Sequence, residues 1–177
     1  MCRLLWTRAH APFDPTTHLN NFAGIARNSS EYQGHGWGCA WLEGDTWQVY
    51  RDIRPIWEDN LGQFGQTTLF LAHARSAFRD EGVVVENNMP FFDGEQMFIF
   101  NGELQGVRIK ETGRIGAEKV FNYLAVAVSI EDPGTLVLIM GYPDKETAEF
   151  ADKVSRAGYV VVLVELILIV IAERAAY

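Results

Sequence analysis

The chain reads as an α+β protein, and three observations carry that reading. Apolar runs of strand length, such as Thr68-Leu69-Phe70-Leu71-Ala72, stand between turn-forming segments. Two stretches, 113–128 and 144–157, space their apolar residues as one face of a helix requires. Of the 177 residues 48% are apolar, enough for one substantial core in a single domain or a domain with an appendage.

Residues 2–7 read as a short first strand with Cys2 at its open end. Ala11-Pro12-Phe13-Asp14-Pro15 reads as a loop because of its prolines, and Thr16 or Thr17 is placed to cap a short helix through Leu19, Phe22 and Ala23. After a polar, turn-rich stretch at 28–36, two strands run through Trp37-Gly38-Cys39-Ala40-Trp41-Leu42 and Thr46-Trp47-Gln48-Val49-Tyr50, joined by a turn at Glu43-Gly44-Asp45. Gly34, Gly36 and Gly38 alternate, clearing one face for a ligand or, equally, for a closely packed strand. Residues 52–66 show no periodicity that assigns them.

The apolar strand at 68–72 runs into His73-Ala74-Arg75-Ser76, which sets charged groups at the end of a buried strand. Residues 80–88 read as a loop with a strand fragment at Val83-Val84-Val85, and Asp93-Gly94 is a hairpin-turn dipeptide leading to a strand at 96–100. That strand ends in Asn101-Gly102-Glu103-Leu104. As a hairpin turn Asn-Gly lacks a well-alternating partner strand; alternatively, the Asn101 amide and the Gly102 N–H can converge on a developing oxyanion. The 113–128 helix places Val120, Phe121, Leu124 and Val128 on one face, with Glu118 in the first turn where the helix dipole favours an acid.

Asp132-Pro133-Gly134 breaks that helix, and the change of character at 129–134 divides a core at 1–128 from a C-terminal segment at 129–177 that completes the same domain. In the segment, 135–140 reads as a strand, 144–157 as a helix with Phe150 and Val154 inward and Gly158 closing it, and 159–171 as a buried strand or strand pair. This strand, helix, strand order is that of an α/β unit.

Lys and Arg number 15 against 23 Asp and Glu, a net charge of −8, so the chain lacks the overall basic footprint of a nucleic-acid or anionic-membrane binder. Two cysteines, Cys2 and Cys39, make no disulfide framework, and His10, His18 and His35 have no metal-ligand spacing. No metal or cofactor is expected, and the expected compartment is the cytoplasm. The apolar run at 159–172 is too short for a membrane span and carries Glu165.

Chemistry enters at Met1-Cys2-Arg3-Leu4-Leu5. Removal of Met1 leaves a thiol and a free α-amine on one residue, a nucleophile and its own base. The α-amine titrates at about 7.7–8.0 and is poised to carry the proton. For Arg75 the residues alone leave two readings, an anion clamp and a partly buried structural ion pair.

Cys2-Arg3-Leu4-Leu5, Gly36-Trp37-Gly38, His73-Ala74-Arg75, Asn87-Asn88-Met89-Pro90-Phe91 and Phe100-Asn101-Gly102-Glu103-Leu104 stand in one order along the chain. In that order they resemble the class II glutamine amidotransferases, N-terminal-nucleophile hydrolases, over roughly residues 2–124. The resemblance implies a four-layer αββα sandwich of mainly antiparallel sheets. It implies attack by Cys2 on the side-chain amide of glutamine or a γ-glutamyl compound, with release of ammonia or an amine. Asn101 and Gly102 would hold the oxyanion, Arg75 the substrate α-carboxylate, with His73 and Glu103 among the substrate-binding residues. His73, closing a strand, reads as a hydrogen-bonded structural residue rather than a proton carrier.

An ammonia-accepting partner protein is compatible with so short a chain, which has no room for an acceptor domain. Three departures qualify the likeness. Met89 stands where many members have His, Gly116 stands where an acid holds the substrate α-amine, and 125–171 does not follow the family pattern. Gly116 leaves a γ-glutamyl compound with a modified amine as an alternative to free glutamine, and Gly116 with Met89 leaves as a further alternative a catalytically silent module that binds a γ-glutamyl ligand or regulates a partner enzyme.

Overall fold

The computed structural model describes residues 2–77, 81–94, 96–102, 109–127, 136–140, 160–161 and 167–173. It is a mixed α+β chain whose strands are predominantly antiparallel, divided into two compact units, residues 1–90 and 91–177.

The first unit holds β1 (Arg3–Phe13), α1 (Thr16–Arg27), β2 (Trp37–Glu43), β3 (Thr46–Asp52) and β4 (Thr67–Ala74). They form an antiparallel sheet in the order β1-β4-β2-β3. The β2–β3 hairpin is where the sequence puts it, with Gly44 taking the positive φ of 60° that its turn demands. Strand β1 is longer than expected and runs through Pro12 to Phe13. Being an edge strand, β1 has one side that needs no N–H donor, and its register slips between Arg8 and Phe13, so Pro12 sits where the ladder is already interrupted.

Neither Thr16 nor Thr17 caps α1. The Asp14 carboxylate accepts the Thr16 N–H at 2.8 Å, and Pro15 brings its fixed φ to the first turn. The helix buries Leu19, Phe22, Ala23 and Ala26 against Trp37, Cys39, Phe64, Phe70, Ala72 and Ala74. Each large side chain so buried contributes about 1.5–3 kcal/mol.

The stretch at 52–66, which no periodicity assigns, contains a 3-10 turn, Ile56–Glu58, followed by the acid Asp59. Asp59 accepts the indole N–H of Trp37 at 3.0 Å, the Tyr50 hydroxyl at 2.7 Å and Arg54 Nη2 at 3.1 Å. The hairpin is thereby tied to the turn by a satisfied buried carboxylate. At Val83-Val84-Val85 no strand forms; Val85–Asn87 is a 3-10 turn instead.

The second unit holds β5 (Phe91–Phe92), β6 (Gln96–Gly102), α2 (Gly116–Ala127), β7 (Leu136–Met140), β8 (Val160–Val161) and β9 (Ile167–Glu173), with sheet order β5-β6-β9-β7-β8. Phe121 of α2 packs on Phe91 and Phe98 with ring centroids 6.1 and 5.4 Å apart. The 159–171 stretch resolves into the strand pair β8 and β9, and β7 and β8 run parallel. A parallel pair requires a crossover. The helix expected at 144–157 lies outside the described residues. So do Gly158 and Glu103. No helix among the described residues is long and apolar enough to cross a membrane.

Candidate active site

Register places the first-unit residues. Arg3 pairs with Ala74 and Leu4 with His73, so the next step sets Cys2 opposite Arg75. Residues opposed across an antiparallel ladder share a face. His73 is also opposite Gly38, while Ala72, Ala74, Trp37 and Cys39 point into the core under α1. Cys2, Leu4, Gly38, His73 and Arg75 therefore belong to the sheet face turned away from α1.

The Cys2 thiol is held by main chain. Its Sγ accepts the Ser76 N–H at 3.3 Å and lies 3.5 Å from the Ser76 carbonyl, to which the protonated thiol donates. Arg3 Nη1 donates to the Cys2 carbonyl at 3.1 Å and Nη2 to Ser29 Oγ at 2.7 Å, and the Ser76 hydroxyl donates to Glu31 at 3.2 Å. Burial pushes the thiol pKa up, while the Ser76 N–H and the Arg75 charge draw it down.

Arg75 is 6% exposed. Its backbone N–H donates to Gly36 O at 3.0 Å and its carbonyl accepts the His35 N–H at 3.2 Å, which extends the pairing past the end of β4. In the side chain, Nη1 donates to Gly82 O at 2.9 Å and makes a longer contact to Asn88 Oδ1 at 3.4 Å. Both acceptors are neutral, and no carboxylate among the described residues pairs with the guanidinium. Burial lowers the Arg75 pKa and the nearby Cys2 raises it. A buried cation without a counter-charge is costly, and a planar bidentate donor is the natural receptor for a carboxylate.

His73 is fully buried in the strand interior between Leu4 and Gly38. A second histidine orders the strand end: His35 Nδ1 accepts the Ala77 N–H at 2.9 Å, which assigns its proton to Nε2. The alternating glycines prove to be close approaches of the chain to itself. A Cβ on Gly38 would collide with Met89 O and reach 2.8 Å from Tyr50 O. Met89 is itself buried, so the departure from His puts an apolar side chain in the interior.

Asn101 and Gly102 belong to the second unit. They are the last residues of β6 and pair with Leu168 and Ile167 of β9, so Asn-Gly ends a strand rather than turning a hairpin. Asn101 Oδ1 is buried and has no hydrogen-bond partner among the described residues. Gly116 opens α2, and the nearby Glu118 receives the Arg114 N–H and, at 3.0 and 3.1 Å, its Nε.

The first unit thus brings Cys2, His73 and Arg75 together. Ser76, Gly82 and Asn88 complete that group without having been singled out for a role. Asn88 lies in a stretch marked by its motif, whereas Ser76 and Gly82 act through main-chain atoms that residue type does not reveal. Among the described residues no cluster of three or more His, Cys, Asp or Glu could hold a metal ion. Taken together these are a half-buried thiol and a buried guanidinium with no carboxylate partner among the described residues, on one face of an antiparallel sheet. Neither a protein-family model nor a curated protein sequence matches the chain.

Proposed function

We propose that the chain is a cysteine amidohydrolase of the class II glutamine amidotransferase type, acting on glutamine or a γ-glutamyl amide. The observation that carries this reading is the placement of Cys2 and Arg75 one step beyond the Arg3–Ala74 pair, close enough for the charge of each to act on the other, with a buried guanidinium whose acceptors among the described residues are neutral. The thiol supplies a nucleophile and the guanidinium a receptor for the carboxylate that marks a γ-glutamyl substrate at its far end.

In the proposed reaction Met1 is removed and the freed α-amine of Cys2 takes the thiol proton. Sγ bonds to the amide carbon, and Asn101 and Gly102 donate to the oxyanion, each donor of this kind contributing about 2.7–4 kcal/mol. Collapse breaks the C–N bond, the amine returns its proton to the leaving nitrogen, and a thioester remains. Water cleaves that thioester to a carboxylate and restores the thiol. The αββα sandwich belongs to the same proposal, supported by two largely antiparallel sheets, each with a helix in its own unit. So do an ammonia-accepting partner and a cytoplasmic setting.

A second reading, a silent module that binds γ-glutamyl compounds, is favoured by the environment of Cys2, whose thiol pKa is pushed up by burial. Incubation of protein lacking Met1 with glutamine and with a series of N-substituted γ-glutamyl amides separates the two. Release of glutamate that disappears in Cys2→Ala is expected for the hydrolase. Tight binding with no release from any of them would leave the silent module and end the hydrolytic reading.

A further inference from the structure

The guanidinium of Arg75 meets the Asn88 side chain as well as the Gly82 carbonyl. Asn88 is fully buried, and its amide bridges two elements. Nδ2 donates to the Asp52 carbonyl at the end of β3 at 2.8 Å, which fixes the orientation of the amide and turns Oδ1 toward Arg75 Nη1. Gly36 makes room for it: the φ there is +102°, and a Cβ would collide with Asn88 Nδ2 and lie 2.8 Å from Asp52 O. The same Gly36 accepts the Arg75 backbone N–H. Gly82 O, the other acceptor on Nη1, is shared with the amide of the adjacent Asn87 at 2.9 Å.

We infer that Asn88 is the positioning residue for Arg75. Its amide, locked by the Asp52 carbonyl, helps Gly82 hold Nη1 with a neutral acceptor, so that the guanidinium keeps its charge and offers Nε and Nη2 as one edge to a substrate carboxylate. Neutrality is the essential property. An acid at the same place would satisfy the cation internally and remove the receptor. This inference rests on the proposed hydrolysis of a γ-glutamyl amide, and it adds a requirement of its own: a ligand without the carboxylate gains nothing from Asn88.

The test uses the full chain carrying Cys2→Ala, so that ligand binds without turnover, with L-glutamate titrated calorimetrically and thermal unfolding followed in parallel. With Asn88 present glutamate binds. In Asn88→Asp its affinity falls by about tenfold or more while the folded state persists, and Asn88→Ser, too short to reach from Asp52 to Arg75, falls by about threefold or more. Butyramide, which has the amide and lacks the carboxylate, shows no dependence on residue 88.

Equal glutamate affinity in all three chains, absence of glutamate binding with Asn88 intact, or loss of folding in both variants each overturns the inference, the last by making Asn88 purely structural. Glutamate binding that follows residue 88, in a protein whose Cys2 form releases no glutamate from any amide, would instead end the hydrolytic reading and leave the Arg75 cradle standing.

Discussion

At the level of single residues the chemistry concentrates on Cys2 and Arg75. Burial raises the Cys2 thiol and the Arg75 cation opposes that rise. The rate of Cys2 alkylation by iodoacetamide should therefore climb with pH to a midpoint above the ordinary thiol value. Arg75→Gln removes the opposing charge and is expected to move that midpoint further up; a downward move would show that Arg75 does not act on the thiol. Cys2 was legible because a cysteine after Met1 is chemically distinctive, and Arg75 because a charge closing an apolar run is unusual. Ser76 and Gly82 were not, since any residue carries an N–H and a carbonyl. Asp59 escaped notice for a different reason: its three side-chain donors, Trp37, Tyr50 and Arg54, converge only after the hairpin folds.

At the level of elements, the β2–β3 hairpin and the crossing of residues 89–90 over it make two expectations. Tyr50 donates to the buried Asp59, and burial followed by that acid pushes its pKa up to about 12. A group raised on folding stabilises the protein below its unfolded value, about 10, and loses that contribution as pH rises through about 12. Tyr50→Phe should cost about 1.5–3 kcal/mol at neutral pH, read from denaturant unfolding, and should reduce the fall in stability between those pH values. Gly38→Ala puts a methyl group against two main-chain carbonyls, those of Met89 and Tyr50, which cannot rotate aside. A loss of about 1–3 kcal/mol is expected, and an unchanged midpoint would mean that residues 89–90 do not lie tightly on β2.

Element boundaries show where a one-dimensional pattern stops. The apolar run at 68–72 and the turn at Gly44 are local signals and reappear as β4 and the β2–β3 hairpin. Pro12 breaks a central strand, which is why its segment reads as a loop, but β1 lies at the edge, a fact set by the whole sheet. Val83-Val84-Val85 has strand composition but pairs with no strand among the described residues, and the positive φ of 61° at Gly82 turns the chain there instead. The expected caps at Thr16 or Thr17 do not form, yet Asp14-Pro15-Thr16 carries a signal of its own, an acid followed by a proline at the entrance of the helix.

At the level of the whole molecule, the proposed reaction gives Arg75 a part in substrate binding and Asn101 and Gly102 a part in the transition state. The two contributions have different kinetic signatures. Arg75→Lys, which loses the planar fork, should act mainly through a higher KM for glutamine or its γ-glutamyl analogue. Asn101→Ala, which removes a donor used in the transition state, should lower kcat by about 10²–10³ with a small change in KM. Similar effects of both substitutions on both constants would mean that these residues do not divide the work in this way.

The most direct measurement is the intact mass of the protein, freed of Met1, after exposure to a γ-diazoketone analogue of glutamine. One covalent adduct per chain is expected, located on Cys2 by peptide mapping, suppressed by excess glutamine or γ-glutamyl amide and absent when Arg75 is replaced by Gln. An unmodified Cys2, or labelling indifferent both to competing amide and to Arg75, would contradict a γ-glutamyl site built on this thiol and this guanidinium.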